Sequence, residues 1–334
     1  MLSLAGVVAL LATSCSDDLG TLGGAESTAT AINDLGQVVG ESTTATGERH
    51  AYVYDPATRT MRDLGEGTPT GISDTGRVVG EIVLPDGHKA AVTWDLPAGT
   101  RTVLPRVGSD WERMLAVNHD GLAVGAGGRS YPWGPPNPMP WNWEMRGIAW
   151  AVDGGRTDVS PLPGTSPRTL SHDVNDAGQI VGQAGNEIAG FRAFLVDGGV
   201  THELVPPADA VFPEAFATAI NDVGDAVGYG QGPIWWDVAT RQPHVFPDLH
   251  GARISVLIDV NDAGVAVGQG HPAGDPSNDS TEEHAFCVNL RTGVVTELGP
   301  GSVAGAINNH DVMVGTLHGR ATKWTDLPCM DPAP

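Results

Sequence analysis

Cysteine is nearly missing from this chain: 334 residues hold three, at positions 15, 287 and 329. So few, with no Cys and His at metal-ligand spacing, exclude a disulfide framework and a structural zinc site. Positive charge is also short. Lys and Arg number 18 against 40 Asp and Glu, a formal net charge of −22, which repels phosphate and excludes an electrostatic grip on nucleic acid or an anionic membrane surface. Beyond residues 2–12 there is no long apolar run, and that one is too short to cross a bilayer as a helix. No Gly-x-Ser-x-Gly elbow, P-loop or dinucleotide fingerprint occurs, so nucleophilic hydrolysis and nucleotide binding have no sequence basis. What is plentiful is Gly, 45, and Pro, 25, a share that breaks helices and excludes bundles and coiled coils. With 40% apolar residues the chain still has enough for a packed core, so the charge excess does not signal disorder.

The apolar run of residues 2–12, then small polar residues and Cys15, reads as an export signal. Cys15 straight after Ala12-Thr13-Ser14 resembles a bacterial lipobox, in which the signal is cut before the cysteine and the thiol carries the lipid. Here Leu stands one place further upstream than in that pattern, and no Lys or Arg precedes the run. The expectation is therefore an export signal with a lipobox over residues 1–15, lipidation at Cys15, and one mature domain over 16–334 in the bacterial cell envelope or outside it. A plain signal peptide cut nearby, or a buried N-terminal strand, is the competing reading. That leaves Cys287 and Cys329, two scattered thiols that an oxidising envelope would allow to pair.

Self-similarity governs the fold. The phrase Ala31-Ile-Asn-Asp-Leu-Gly-Gln-Val-Val-Gly40 returns from Gly71, Ala116, Asp173, Ala219, Asp259 and Ala306. The seven copies close on Gly40, Gly80, Gly125, Gly182, Gly228, Gly268 and Gly315, at intervals of about 40–57 residues, near the period of a four-strand propeller blade. Each phrase reads as a hairpin: an apolar strand end, an Asn-Asp-x-Gly turn, and a second strand with a Val-Val or Ala-Val pair. Asn and Asp cap their own backbone in tight turns and Gly takes a positive φ. The repeated Asn-Asp lacks the alternating oxygens and distal Glu of a calcium loop, so the turn reading is preferred.

A third strand follows, as in Ala51-Tyr-Val-Tyr54, and then a fourth, as in Thr292-Gly-Val-Val-Thr-Glu-Leu298. Four-strand sheets cannot bury both faces alone, and stacking them around an axis does so. The fold predicted is all-β: a seven-bladed β-propeller of four-stranded blades. The last unit stops one strand short at Trp324-Thr-Asp-Leu-Pro, while Asp18-Leu-Gly-Thr-Leu-Gly-Gly24 at the start reads as a spare fourth strand. The N-terminal strand is expected to close the last blade and remove its unpaired edge. His50, His88 and His284 open third strands, where repetition points to structural hydrogen bonds.

His284-Ala285-Phe286, the variant His50-Ala51-Tyr52, the Ala-Ile-Asn-Asp-x-Gly-x-Val-Val-Gly phrase and Asp18-Leu-Gly-Thr-Leu-Gly-Gly24 together resemble the HAF family of bacterial extracellular repeat proteins. The resemblance runs from Asp18 to Leu327, with blades 3 and 5 departing most. It implies an exported repeat protein of propeller type and brings no catalytic residues.

In such a blade the 1–2 and 3–4 hairpins share one face, and the 2–3 loops and blade connections share the other. The turns of the first face are monotonous and the loops of the second vary, so the second is the expected binding face. Its longest loop, residues 126–147, carries Tyr131, Trp133, Trp141 and Trp143, and the connection into the same blade adds Trp111. These five are the candidate ligand patch, suited to stacking on sugars or gripping a peptide. A private core for the insertion is the bland alternative. Asp110, Glu112 and Glu144 form a candidate acid and base for glycoside cleavage, the enzyme alternative being a carbohydrate-active hydrolase or lyase. The acidic stretch 270–283, with Asp275, Asp279, Glu282 and Glu283, is a weaker calcium candidate, a solvated loop being preferred. The overall expectation is a monomeric binding or scaffolding module for a protein, peptide or glycan, without cofactor, metal, nucleic acid or assigned catalytic residue.

Overall fold

Each repeated phrase folds on itself before it meets its neighbours. In the first, the Asn33 N–H reaches Gln37 O at 3.1 Å while Asn33 Oδ1 accepts the Gln37 N–H at 2.9 Å, and Gly36 turns the chain at φ 74°. The seventh repeat has Asp311 in the glycine's place and still bends, at φ 56°, because Asx side chains tolerate that region better than other residues. The closing glycine answers to a different demand. A Cβ on Gly40 would lie 1.9 Å from Thr28 O, and one on Gly228 the same distance from Phe216 O. The first strand of each blade approaches the second too closely there for any side chain.

The computed structural model describes residues 15–129, 144–165, 168–186, 190–208, 210, 214–246, 253–271 and 284–330. Their strands form seven antiparallel sheets, six from consecutive segments and one joining the first strand to the last three, giving a seven-bladed β-propeller. Blade 3 is representative, with strands Trp111–Val117, Ala123–Arg129, Glu144–Trp150 and Arg156–Asp158. In blade 1 the inner strand is split into Gly23–Ser27 and Ala31–Ile32, both paired with Val38–Thr44. Inner strands of blades 2 to 7 share a bulge, as between Met114 and Ala116 or Ser171 and Asp173. The extra residue at the bulge faces the axis, so Leu115, His172 and Thr218 line the central channel.

Blade faces pack on one another through apolar clusters drawn from adjacent sheets, as where Val181 and Leu195 of blade 4 meet Ile220 and Trp236 of blade 5. Trp236, Trp324, Tyr52, Phe194 and Phe286 are among the largest fully buried side chains. Burial of each contributes roughly 2–3 kcal/mol. The alternation of strands inward and outward thus becomes alternation between two neighbouring blades.

The ring is closed by the N-terminal strand, but by a different segment from the one expected. Cys15–Asp18 pairs with Arg320–Thr325, from Cys15 opposite Thr325 to Asp18 opposite Thr322, and the Leu19 N–H still reaches Ala321 O at 2.9 Å. Beyond Leu19 the glycines Gly20 and Gly23, at φ 95° and 103°, turn the chain away into blade 1. The segment 18–24 is therefore mostly the exit from the seal, and Cys15 stands within the sheet. At the other end, Cys287 in blade 6 is disulfide-bonded to Cys329, with Cα atoms 6.0 Å apart. Cys329 lies in the short 3-10 turn Pro328–Met330, so the bond ties the chain's tail across the last seam. Among the described residues no helix is long and apolar enough to cross a membrane.

Candidate functional site

On the face of the 1–2 turns, the seven phrases meet around one mouth of the channel. Residues Asn33, Asn118, Asn175, Asn221, Asn261 and Asn308 line it with the residues that follow them. Each of these asparagines holds its own turn through Oδ1 and reaches the next blade through Nδ2, as Asn175 to Asn221 O at 3.1 Å, Asn221 to Asn261 O at 2.8 Å, and Asn308 to Asn33 O at 3.0 Å. The residue after it makes a second link. The Asp176 N–H reaches Asp222 Oδ1 at 2.7 Å, that of Asp222 reaches Asp262 at 2.9 Å, and that of Asn309 reaches Asp34 at 2.8 Å. The recurrent Asn-Asp is thus a circular latch. Among the described residues it skips one seam, blades 2–3, where Ser73 replaces Asn. There Arg77 reaches Val152 O instead, at 3.2 Å. Burial, with the neighbouring charges of Asp176, Asp262 and Asp34, holds the Asp222 carboxyl above the usual carboxylate range, even though the Asp176 N–H hydrogen bond acts in the opposite sense.

A second tier of bonds lies deeper, where the channel encloses about 250 Å³. Thr30, Thr70 and Thr218 each donate to a carbonyl of the next blade, at 2.9, 2.9 and 2.7 Å. In blades 4 and 6 an Asp makes the link as an acceptor instead, from the position held elsewhere by Ala or Gly. Asp173 accepts the Ile220 N–H at 2.9 Å and Asp259 the Ile307 N–H at 2.8 Å. Burial, then the facing charge of Asp259, pushes Asp173 up to about 7. Burial pushes Asp259 up to about 6. His172 beside them donates to Gln183 Oε1 at 3.2 Å, and burial pushes it down to about 4.

On the opposite face, the upper end of blade 3 bears a cavity of about 750 Å³ lined by residues 107–109, Gly127, Gly128, Arg129, Glu144, Arg146 and 156–158. Two glycines shape it. A Cβ on Gly128 would lie 3.1 Å from the Trp111 ring, and one on Gly127 would lie 2.7 Å from Glu112 Cγ. Trp111 therefore lies over Gly128 and Glu112 over Gly127, on opposite faces of the sheet. Glu112 is buried and accepts from Arg156 at 2.5 Å and from the Val107 N–H at 3.1 Å. Arg129 donates to Gly108 O at 2.8 Å, while the exposed Arg146 pairs with Asp158 at 3.3 Å. Arginines outnumber acids around this cavity, the reverse of the whole chain.

Solved structures with the same fold confirm the architecture at low identity. The chain is similar to oligogalacturonate lyase from Vibrio parahaemolyticus, at 13% identity and TM-score 0.60, over 94% of this chain and 93% of that one. It is similar to the acylaminoacyl peptidase of Pyrococcus horikoshii, at 10% identity and TM-score 0.58, over 89% of this chain but 50% of the peptidase, so it spans about half that enzyme's length. The β-propeller domain of the trilobed protease from Pyrococcus furiosus matches at 10% identity and TM-score 0.56, over 91% and 97%. That domain has an open velcro topology, whereas here the first strand seals the last blade. No family model and no curated protein matches the chain.

Of the sequence candidates, Trp111, Asp110, Glu112 and Glu144 are placed at the blade 3 rim, whereas Tyr131, Trp133, Trp141, Trp143 and the acidic residues Asp275, Asp279, Glu282 and Glu283 lie outside the described residues. Among the described residues no group of three or more His, Cys, Asp or Glu is arranged to hold a metal ion. His50 and His284 bond Asp63 and Glu297 on the adjacent strand, as repetition suggested, while His88 is exposed. Arg129, Arg146 and Arg156 were not singled out from sequence. The available signal was the crowding of Arg101, Arg106, Arg113, Arg129, Arg146 and Arg156 into one blade and its approaches.

Proposed function

We propose that this propeller is an exported module of the bacterial cell envelope that binds a peptide, protein or glycan on the upper rim of blade 3. One observation carries the reading. Arg129 and Glu144, paired across the sheet, both line the rim cavity and are the two ends from which residues 130–143 depart. Tyr131, Trp133, Trp141 and Trp143 belong by sequence to the segment between these two residues, and their flat apolar surfaces are assigned, with Trp111 and the arginine donors, to holding the ligand. Export is supported by the apolar leader and by the Cys287–Cys329 disulfide, a bond suited to an oxidising compartment. Lipidation of Cys15 and membership of the HAF-type repeats belong to the same proposal. An acyl chain on Cys15 would start from the sealing strand itself, so the propeller would rest against the membrane.

The similarity to a lyase of propeller length keeps a hydrolase or lyase as the second reading. Against it, Glu112 is engaged by Arg156 and the Val107 N–H, and Glu144 lies 4.0 Å from Arg146. A glycan and peptide array probed with wild type, Trp141→Ala and Arg146→Ala decides the matter. A ligand held by wild type and lost by both variants is expected, and equal binding by all three overturns the rim. Turnover of an acidic oligosaccharide that Glu144→Gln abolishes would replace binding with catalysis.

A further inference from the structure

The seven repeats are controls for one another, and one seam departs from the rest. At the inner-strand position two before the bulge stand Thr28, Thr68, Arg113, Leu170, Phe216, Val256 and Val303, so Arg113 is the single charge. One position on, Ser171 is the single polar side chain, against Ala29, Pro69, Met114, Ala217, Leu257 and Ala304. At the bulge itself His172 is the one titratable residue. All three meet where blade 3 packs on blade 4.

Their orientation follows from the register. Arg113 pairs with Ala126, and Ala126 with Gly147, and cross-strand partners carry their side chains on one face. A Cβ on Gly147 would lie 2.7 Å from Ser171 Oγ. The face that carries Arg113 is therefore the face that meets Ser171. Arg113 also lies close enough to His172 for its charge to disfavour the imidazolium.

The seam is polar and unsatisfied. Arg113 Nε and Ser171 Oγ are both buried without a hydrogen-bond partner. Arg113 is half-buried, and among the described residues no carboxylate forms an ion pair with its guanidinium, in a chain with 40 acidic residues. The other shielded basic residues whose side chains are described do have partners, such as Arg106, Arg156 and Lys323. A seam of this kind is costly unless something fills it. The second tier of bonds also omits this seam: Leu115 and Ala116 stand where blades 1, 2 and 5 place Thr and blades 4 and 6 place Asp.

We propose that the blade 3–4 seam, next to the channel residue His172, is a binding site for a carboxylate, held by the Arg113 guanidinium and the Ser171 hydroxyl. The planar guanidinium fork matches a carboxylate edge. A monoanion is favoured over a dianion because Asp173 and Asp259 share the channel wall and the chain's net charge is strongly negative. The site is separate from the rim cavity, which lies toward the other face of blade 3.

Titration of labelled protein, followed through the Arg113 Nε–H and His172 ring resonances, tests this. Acetate is the first probe, followed by glucuronate and an N-capped dipeptide with a free carboxyl end, which distinguish a sugar acid from a chain terminus, and then inorganic phosphate. Wild type should show saturable shifts with acetate and with at least one larger carboxylate. Arg113→Met should weaken binding by about 10- to 100-fold, the loss expected for a charge-assisted pair. Ser171→Ala, which installs the residue of three other blades, should weaken it by about 3- to 10-fold and decides the question should Arg113→Met not fold. Arg146→Ala should leave these shifts intact, so failure of the rim and failure of this site are told apart. The absence of saturable shifts in wild type, equal binding by Ser171→Ala and wild type, or tighter binding of phosphate than of acetate would overturn the assignment.

Discussion

The two faces of this propeller are built from one repeat and put to opposite use. On the turn face, Asn and Asp side chains repeat with little change, and their polar atoms are committed to the neighbouring blade in six of the seven seams among the described residues. On the loop face, lengths and side chains differ from blade to blade, and blade 3 gathers arginines around a cavity that no repeat dictates. The comparison teaches that repetition marks what holds the ring, and departure from repetition marks where a ligand is to be sought. A polar group already satisfied by a neighbouring blade gains little from a ligand, whereas an unsatisfied one gains the whole bond.

The largest expected effect is on the latch. Asn221→Ala removes the bonds to Asn261 O and from the Asp225 N–H and leaves both groups buried, so unfolding in urea should show a loss of about 2–4 kcal/mol. A loss below half a kcal/mol would mean the turn face is as permissive as the loop face. Next comes the channel between the faces. Asp173 has a folded value of about 7, above that of an exposed carboxylate. Across roughly pH 4 to 7 the folded chain therefore holds a proton that the unfolded chain has released, and raising the pH through that window removes stability. Asp173→Ala loses its two backbone partners at every pH but also this penalty. Its deficit relative to wild type should narrow by about 2 kcal/mol between pH 4.5 and 8, the facing Asp259 taking up part of the full shift. A deficit independent of pH would contradict the assignment. The smallest effect is a gain: Ser73→Asn supplies the missing latch toward Asn118 O, which should stabilise by about 0.5–1 kcal/mol. No gain would mean that Arg77 already does that work.

Much of the architecture was legible because a hairpin is a local object. The Asn-Asp-x-Gly phrase predicts its own turn from side-chain capping and positive φ, and seven such turns at blade spacing leave few alternatives to a propeller. The closing glycine was visible as a regularity, but its reason, a backbone carbonyl less than 2.3 Å from any added Cβ, is a contact between strands. The closing strand was placed slightly late, since Leu-Gly-Thr-Leu reads as a strand while Gly20 and Gly23 in fact turn it out. Asp173 and Asp259 stood in the repeat as departures from Ala, with no sequence cue that both face one channel. The rim arginines went unread because Arg129, Arg146 and Arg156 are separated in the chain and meet only when three strands are laid side by side.

The order of residues alone determined the number of blades, the turns and the strand count, because each depends on contacts within about ten residues. Only the folded ring decided that Asn and Asp bind blade to blade, that Cys287 meets Cys329, and that Arg113 faces Ser171. Those pairs are brought together by closure around an axis, and the distances across a seam are invisible to any local pattern.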